Sequence, residues 1–351
     1  MKKVCMLGSG AWGTAVSSLL ADNGFEVNLW CYESTVAKEI AQERCNKRYL
    51  PDVTLKKNIK AFTDIDKAME SVDWIFEAVP VKFLRSVLVQ AKPYLSAGQT
   101  WVILSKGIEN ETLLFPSQIL NDVFETEVKK VIVSGPSFAK DLAAKKLTAV
   151  DVASKDERLA KELQGMLTNA YFKCHCSSDV RGVQFGGALK NVFALAYGML
   201  EGFGCAANTK AFMLTVALKE MAEFAKFVKI EEKTIYCLSG FGDLILTCTG
   251  GLSRNVMVGR LLGEGQSLED ILKTTGAIPE GINTVKSVYE VIQHFKIIGD
   301  PTFTYSHHAI WGDRENLDLK ESIELPLLET IHEVIFEGKS VQDLLFALSV
   351  K

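Results

Sequence analysis

The chain has 351 residues, 48% of them hydrophobic and 23% charged, with a formal net charge of −4 at pH 7. That is longer than one core usually supports and suits two domains. The slightly acidic balance excludes the electrostatic footprint of a nucleic-acid-binding or anionic-membrane protein, so any anionic ligand must be held by local cations. No apolar run approaches the roughly 18 residues needed to span a bilayer. The opening MKKVCMLGSG breaks at once into a glycine-rich loop instead of extending as a signal peptide. A cytoplasmic protein without a membrane span or nucleic-acid partner is expected.

The eight cysteines are scattered, without the spacing of a disulfide framework. Cys174-His175-Cys176 is the one cluster, and no second ligand pair follows it at zinc spacing; His307-His308 are adjacent rather than three to five apart. Reduced structural thiols and no metal are expected.

Lys3 to Gly8 reads as a short apolar strand, followed by Gly8-Ser9-Gly10-Ala11-Trp12-Gly13, a helix from Thr14 to about Asn23 ended by Gly24, and a second strand from Glu26 to Trp30. Strand, G-x-G-x-x-G, helix, strand is the setting in which those glycines carry meaning. The first permits the tight turn, the second lets the backbone approach a pyrophosphate, and the third allows close helix–strand packing. The helix start then offers free N–H groups to phosphate. About twenty residues beyond Gly13 stands Glu33, where an acid would bond the ribose diol of NAD and repel the extra phosphate of NADP. Lys38, Arg44, Lys47 and Arg48 could still reach that phosphate. A modest preference for NADH over NADPH is expected.

Trp74 to Pro80, Thr100 to Ser105 and Val131 to Ser134 are compact apolar runs suited to a parallel sheet. In open α/β sheets ligands bind beyond the carboxyl ends of the strands. There this chain carries Phe83 after Pro80, Lys106-Gly107, and Gly135-Pro136-Ser137. Lys106 is either a catalytic or phosphate-binding cation or a solvated loop lysine. Thr148 to Ser154 and Tyr171 to Cys176 read as strands completing the first domain.

From about Ser178 the periods become helical. The spacing predicts a dinucleotide-binding domain over 1–180 and a helical substrate domain over 181–351, packed around a shared cleft. The second domain opens with GVQFGGALKNVFALAYGML, Gly182 to Leu200, a helix apolar on nearly every face with Lys190 as its one charge. An unpaired buried ammonium is costly, so Lys190 either is a tuned acid/base or pairs structurally. Asp243, among glycines and apolar residues in LSGFGDLILTCTGG, is its candidate partner. Ser253 suits a helix N-cap, with Arg254 and Asn255 following at the helix start, where an arginine beside free N–H groups suits phosphate. Glu280 is a turn acid.

In order along the chain, GSGAWGTA from Gly8, LPDV from Leu50, SKGIE from Ser105, GPSFAKDLA from Gly135, GVQFGGALKNV from Gly182, NTKA from Asn208, GFGDLILTCTG from Gly240, SRN from Ser253 and EG at Glu280 resemble the NAD(P)-dependent glycerol-3-phosphate dehydrogenases, the bacterial type in particular. The resemblance covers nearly the whole chain. It implies a Rossmann-type N-terminal domain, a mainly helical C-terminal domain, and reversible hydride transfer between dihydroxyacetone phosphate and sn-glycerol 3-phosphate, supplying glycerophospholipid synthesis. A homodimer is the candidate assembly.

By the same resemblance Lys190 is the general acid/base. Lys106, Gly135, Ser137, Asp243, Thr247, Ser253, Arg254 and Asn255 take substrate positions. Gly8, Ser9, Gly10, Ala11, Trp12, Gly13, Tyr32, Phe83, Lys106, Ala139, Arg254, Ile278 and Glu280 surround the dinucleotide. The chain departs from the compact bacterial pattern between Ile298 and Leu325, where it carries extra residues including TYSHHAIWGDRENLD, expected by default as a surface insertion, with a dimer contact or a lid as the alternatives. The alternatives are a related two-domain hydroxyacid dehydrogenase, which a Lys-Asn pair on an interdomain helix also suits, and a non-catalytic dinucleotide-sensing module.

Overall fold

The computed structural model describes residues 2–275, 279–296 and 323–349. It separates into two compact units, Met1–Lys106 with Pro116–Val180, and Gly107–Phe115 with Arg181–Lys351. The chain therefore leaves the first unit immediately after Lys106 and returns to it at Pro116.

In the first unit, strands β1 (Lys3–Leu7), β2 (Glu26–Trp30), β3 (Ile59–Phe62), β4 (Trp74–Glu77), β5 (Thr100–Ile103), β6 (Lys129–Ser134), β7 (Thr148–Ala153) and β8 (Phe172–Ser177) form one sheet in the order β3-β2-β1-β4-β5-β6-β7-β8. Every pairing is parallel except β6 with β7. Helices α1 (Ala11–Asp22), α2 (Ser34–Glu43), α3 (Ile65–Met69), α4 (Val81–Ala91), α5 (Pro116–Phe124), α6 (Ala139–Ala143) and α7 (Glu157–Leu167) connect them. Central strands read as near-continuous apolar runs because helices cover both faces; β4 and β5 are buried at every residue, Glu77 and Thr100 included. The strand order reverses between β1 and β4, the switch point where doubly wound sheets open a ligand crevice.

Two details depart from the sequence reading. The helix after the glycine loop begins at Ala11 rather than Thr14, because Gly10 already serves as its N-cap. The β3 run, IKAF, is a short and partly exposed edge strand that lacks a strong apolar signature.

The second unit is helical: α8 (Val180–Gly202), α9 (Ala207–Phe227), α10 (Glu232–Ile235), α11 (Asp243–Thr249), α12 (Arg254–Gly263), α13 (Leu268–Thr275) and α14 (Glu280–Lys296), then helices Pro326–Phe336 and Val341–Ser349. The fold is thus α/β, a Rossmann-type sheet unit with a helical second unit. The α8 helix is its axis, with Leu189, Val192, Phe193, Leu195, Met199 and Leu200 all fully buried.

Glycines bring other backbones against α8. A Cβ on Gly198 would lie 2.1 Å from the Val256 carbonyl oxygen, and one on Gly259 of α12 would lie 2.1 Å from that of Leu195. No larger residue fits that crossing without a shift. On the far side, buried Glu220 of α9 accepts from the N–H groups of Leu327 (2.8 Å) and Leu328 (3.0 Å), capping helix Pro326–Phe336. The segment expected as an insertion falls largely in 297–322, outside the described residues, as do His307 and His308. Among the described residues no single helix is long and apolar enough to cross a membrane. All eight cysteines are free thiols.

Candidate active site

The glycine loop runs from the end of β1 into α1. Gly8 takes φ +109, and a Cβ there would sit 2.8 Å from the Ala78 carbonyl oxygen; at Gly13 it would sit 2.0 Å from that of Gly8. Both positions therefore need glycine, one for conformation and contact, the other for contact alone. At Gly10 an added Cβ would meet nothing within 4 Å, so open space lies over the start of α1.

Gly10 has no side-chain cap to offer, and no acid stands in the first turn beside Ala11 and Trp12. Uncapped N–H groups beside open space fit a pyrophosphate. Buried Asn46 holds the loop in shape, donating to the Ser9 carbonyl (2.8 Å) and to the Thr14 hydroxyl (2.8 Å), which itself donates to Ser9 O (3.1 Å).

Two aromatics stand exposed at strand ends on either side of this loop. Tyr32, just past β2, is 80% exposed and meets Trp30 edge-on; Phe83, in the first turn of α4, is 51% exposed with Lys82 over its ring. Glu33 holds the N-cap position of α2 without a side-chain capping bond, and its carboxylate is engaged elsewhere: Tyr49 donates its hydroxyl to it at 2.6 Å, and Arg48 approaches to 3.8 Å. Among the basic residues, Arg44 is spent on the carbonyls of Leu55 and Ile59, and Lys47 pairs with Glu43. Lys38 is exposed.

Beyond β5 and β6, Lys106 donates to the Gly135 carbonyl at 3.1 Å, and Ser137 donates to the same oxygen at 2.9 Å. Gly135 is pressed against β7, with Val150 Cα only 2.8 Å from where its Cβ would be. Ala139 opens α6 and packs partly into the core. The structure thus brings Lys106, Gly135 and Ser137 together at the carboxyl end of the sheet.

In the second unit, Lys190 Nζ and Asp243 Oδ1 lie 2.6 Å apart, with both residues buried. The sequence dictates this meeting through glycine. Gly186, one turn before Lys190, touches Ser239 and Gly240, one turn before Asp243. Leu238–Gly242 form a short π-helical stretch entering α11, the kind of local irregularity that re-aims a side chain. Thr247, one turn on, donates to Asp243 at 3.3 Å.

Asn191 next door accepts from Asn255 Nδ2 (2.9 Å), and Asn255 Oδ1 accepts from the Gly281 N–H (3.0 Å). Asn255 is therefore a fixed strut between α8, α12 and α14. Ser253 is the N-cap of α12, accepting from the Val256 N–H (3.3 Å), and Arg254 follows as an exposed first-turn residue. Glu280 begins α14. Ile278 lies outside the described residues.

With this geometry in hand, comparison with known proteins is specific. Residues 3–160 match the model of the NAD-dependent glycerol-3-phosphate dehydrogenase N-terminus, and residues 179–346 that of its C-terminus. The chain belongs to this family. The glycerol-3-phosphate dehydrogenase [NAD(P)+] of Bacillus subtilis is 38% identical over 344 residues, 97% of this chain and 92% of that one. The crystal structure of the glycerol-3-phosphate dehydrogenase of Coxiella burnetii superposes with a TM-score of 0.86 at 30% identity, covering 100% of this chain and 99% of that one. The solved structure of the Saccharomyces cerevisiae glycerol-3-phosphate dehydrogenase gives 0.76 at 26%, with 99% of each chain covered.

Within this dehydrogenase family framework, two buried groups stand out that the sequence reading passed over. Asn46 braces the glycine loop from 37 residues away and has no local signature. Glu77, the last residue of β4, is fully buried at the switch point. Its signature is in the sequence: it is the one charge in WIFEAVP, as Lys190 is in Gly182–Leu200.

Proposed function

We propose that this chain is a glycerol-3-phosphate dehydrogenase, interconverting dihydroxyacetone phosphate and sn-glycerol 3-phosphate with NAD(P)H and so supplying glycerol 3-phosphate to glycerophospholipid synthesis. The observation that carries the reading is the buried Lys190–Asp243 pair, at 2.6 Å, in a chain of this family. The glycine loop, with its open space above Gly10, fits the dinucleotide, which when bound supplies or accepts the hydride at C2.

Lys190 is the proton-transfer group. In reduction its ammonium gives a proton to the C2 oxygen as the hydride arrives at carbon; in oxidation the neutral amine takes the hydroxyl proton as hydride leaves. Asp243, itself held by Thr247, keeps Lys190 aimed and compensates its charge in the buried site. In the first unit Lys106, Gly135 and Ser137 are assigned to substrate; in the second, Asp243, Thr247, Ser253, Arg254 and Asn255. Arg254 at the start of α12 suits a phosphate, supported by the free N–H groups of the helix start. Tyr32, Phe83, Ala139, Ile278, Glu280 and the loop Gly8 to Gly13 are assigned to the dinucleotide, with Lys106 and Arg254 serving both.

For the cofactor we propose a modest preference for NADH with NADPH still usable. The Glu33 carboxylate opposes a 2′-phosphate, but Tyr49 and Arg48 already engage it, which softens the repulsion. A cytoplasmic homodimer is the proposed assembly. NADH oxidation with dihydroxyacetone phosphate, set against unphosphorylated dihydroxyacetone and short keto acids, tests the reading. Turnover only with the phosphorylated ketone is expected; preference for a keto acid would favour a hydroxyacid dehydrogenase, and NADH binding without turnover a sensing module.

A further inference from the structure

Glu77 ends β4 at the point where the sheet order reverses. Its register partner on β1 is Leu7, the residue before Gly8, and on β5 it is Ile103, two residues before Ser105. The backbone on either side of it is locked into both neighbours: Ala78 donates its N–H to Leu7 O (2.8 Å), and Leu104 donates its N–H to Glu77 O (3.0 Å). The side chain is fully buried and meets donors: the Ser105 hydroxyl (2.6 Å), the Ser105 N–H (3.3 Å) and the Val79 N–H (3.3 Å). A valine would fill a buried strand end at far lower desolvation cost, so a carboxyl here calls for an account.

The donors supply one. Ser105 is the first residue beyond β5 whose N–H bonds the Glu77 side chain instead of the β4 backbone, so the chain turns out of the ladder there, and Lys106 follows it directly. Two hydrogen bonds from Ser105 to one carboxyl oxygen fix that turn's direction, and Lys106 then reaches Gly135 O at 3.1 Å. We propose that Glu77 is a positioning residue that holds the Ser105–Lys106 turn so that Lys106 is aimed at the substrate. This rests on the assignment of Lys106 to substrate made above. Burial pushes the Glu77 carboxyl up to about 8, against the lowering effect of the Ser105 and Val79 hydrogen bonds, so at neutral pH the group is mostly protonated and adds little charge beside Lys106.

The test compares wild type with Glu77→Leu, Glu77→Gln, Ser105→Ala and the Glu77→Leu/Ser105→Ala pair. It reads kcat and KM for dihydroxyacetone phosphate, the Kd of NADH by fluorescence titration, and Tm. Glu77→Leu and Ser105→Ala should each lower kcat/KM for the ketone on the order of tenfold, with the Kd of NADH nearly unchanged. The pair should be no worse than the worse single variant, because both changes break one link. Glu77→Gln, which keeps an acceptor for Ser105, should recover most of the loss.

Additive losses, an equal weakening of NADH, or a fall in Tm with unchanged kinetics would overturn the positioning role. Should Glu77→Leu fail to fold, Ser105→Ala alone decides, since unaltered ketone kinetics in that variant contradicts the proposal. Absence of turnover in wild type would instead remove the proposed function, and this inference with it.

Discussion

The end of β4 and the middle of α8 present the same problem and solve it in opposite ways. Each places one ionisable residue in an otherwise apolar, fully packed run, where an isolated charge is expensive. In α8 the solution is a counter-ion: Lys190 meets Asp243 at 2.6 Å, and both remain available as a charged pair. In β4 the carboxyl instead meets hydrogen-bond donors, among them Ser105 and Val79, with desolvation holding Glu77 toward its neutral form. A group meant to exchange a proton gains from a partner that stabilises its charge. A group meant only to fix a turn needs no charge at all. The same sequence signal, a lone charge in an apolar run, thus covers two different physical devices, and only the surroundings tell them apart.

The comparison breaks most sharply if the α8 pair is displaced. Gly186→Ala puts a Cβ 2.8 Å from the Ser239 carbonyl oxygen, one turn below Lys190–Asp243. Stability should fall by about 1–3 kcal/mol in denaturant titration, and turnover by up to about 100-fold as the pair loses alignment.

A second measurement sharpens the β4 side. The folded-state value of Glu77, about 8, lies above its ordinary 4.5, so folding takes up a proton between those pH values. This contribution to stability is therefore present at low pH and lost as pH rises toward 8. Relative to Glu77→Gln, wild type should lose stability across pH 5–8 with a slope of at most about 1.4 kcal/mol per pH unit. Parallel stability curves for the two proteins would show that Glu77 is charged in the fold.

An ordinary ion-pair hub gives the contrast of sign. Asp22, at the end of α1, meets Lys56, Lys145 and the Tyr171 hydroxyl. Although partial burial pushes its carboxyl upward, these partners together outweigh that and hold it down at about 2. Its stabilisation is present above the unfolded value near 3.8 and is lost as pH falls through about 2. Both lysines are more than half exposed, so Asp22→Asn should cost only about 1 kcal/mol at pH 7. The gap should close near pH 2 in an acid-unfolding series.

The smallest expected effect concerns Glu33. Tyr49 and Arg48 already engage its carboxylate, so Glu33→Ala should raise the NADPH-to-NADH ratio of kcat/KM only several-fold, on the order of 1 kcal/mol. A ratio unchanged by the substitution would show that Glu33 does not read the ribose.

Much of this organisation was legible beforehand, for local reasons. The glycine loop announces itself because contacts at Gly8 and Gly13 tolerate nothing larger, and the central strands because burial on both faces leaves nearly continuous apolar runs. Lys190 was legible as an anomaly, and Asp243 as a second anomaly that could answer it. What remained hidden is tertiary. Asn46 sits in a polar segment indistinguishable from a solvated loop until the fold carries it onto Ser9 and Thr14. Asn255 looks like one member of a helix-start triplet, yet the crossing of α8 and α12 turns it into a strut to Asn191 and Gly281. The antiparallel pairing of β6 with β7 has no residue-level mark, since strand direction depends on the path of the connection. Glu77 is hard to single out because the apolar residues around it dominate the pattern of the run.

The central claim is that Lys190 exchanges the proton while Asp243 compensates it, and the most direct test separates activity from stability at that pair. Lys190→Ala alone should lose about 100- to 10,000-fold in turnover with dihydroxyacetone phosphate, and should also lose stability because Asp243 is left buried without a cation. Lys190→Ala combined with Asp243→Asn should regain much of the stability, by denaturant titration, and still bind NADH, yet regain none of the turnover. Near-wild-type turnover in either protein would contradict the account.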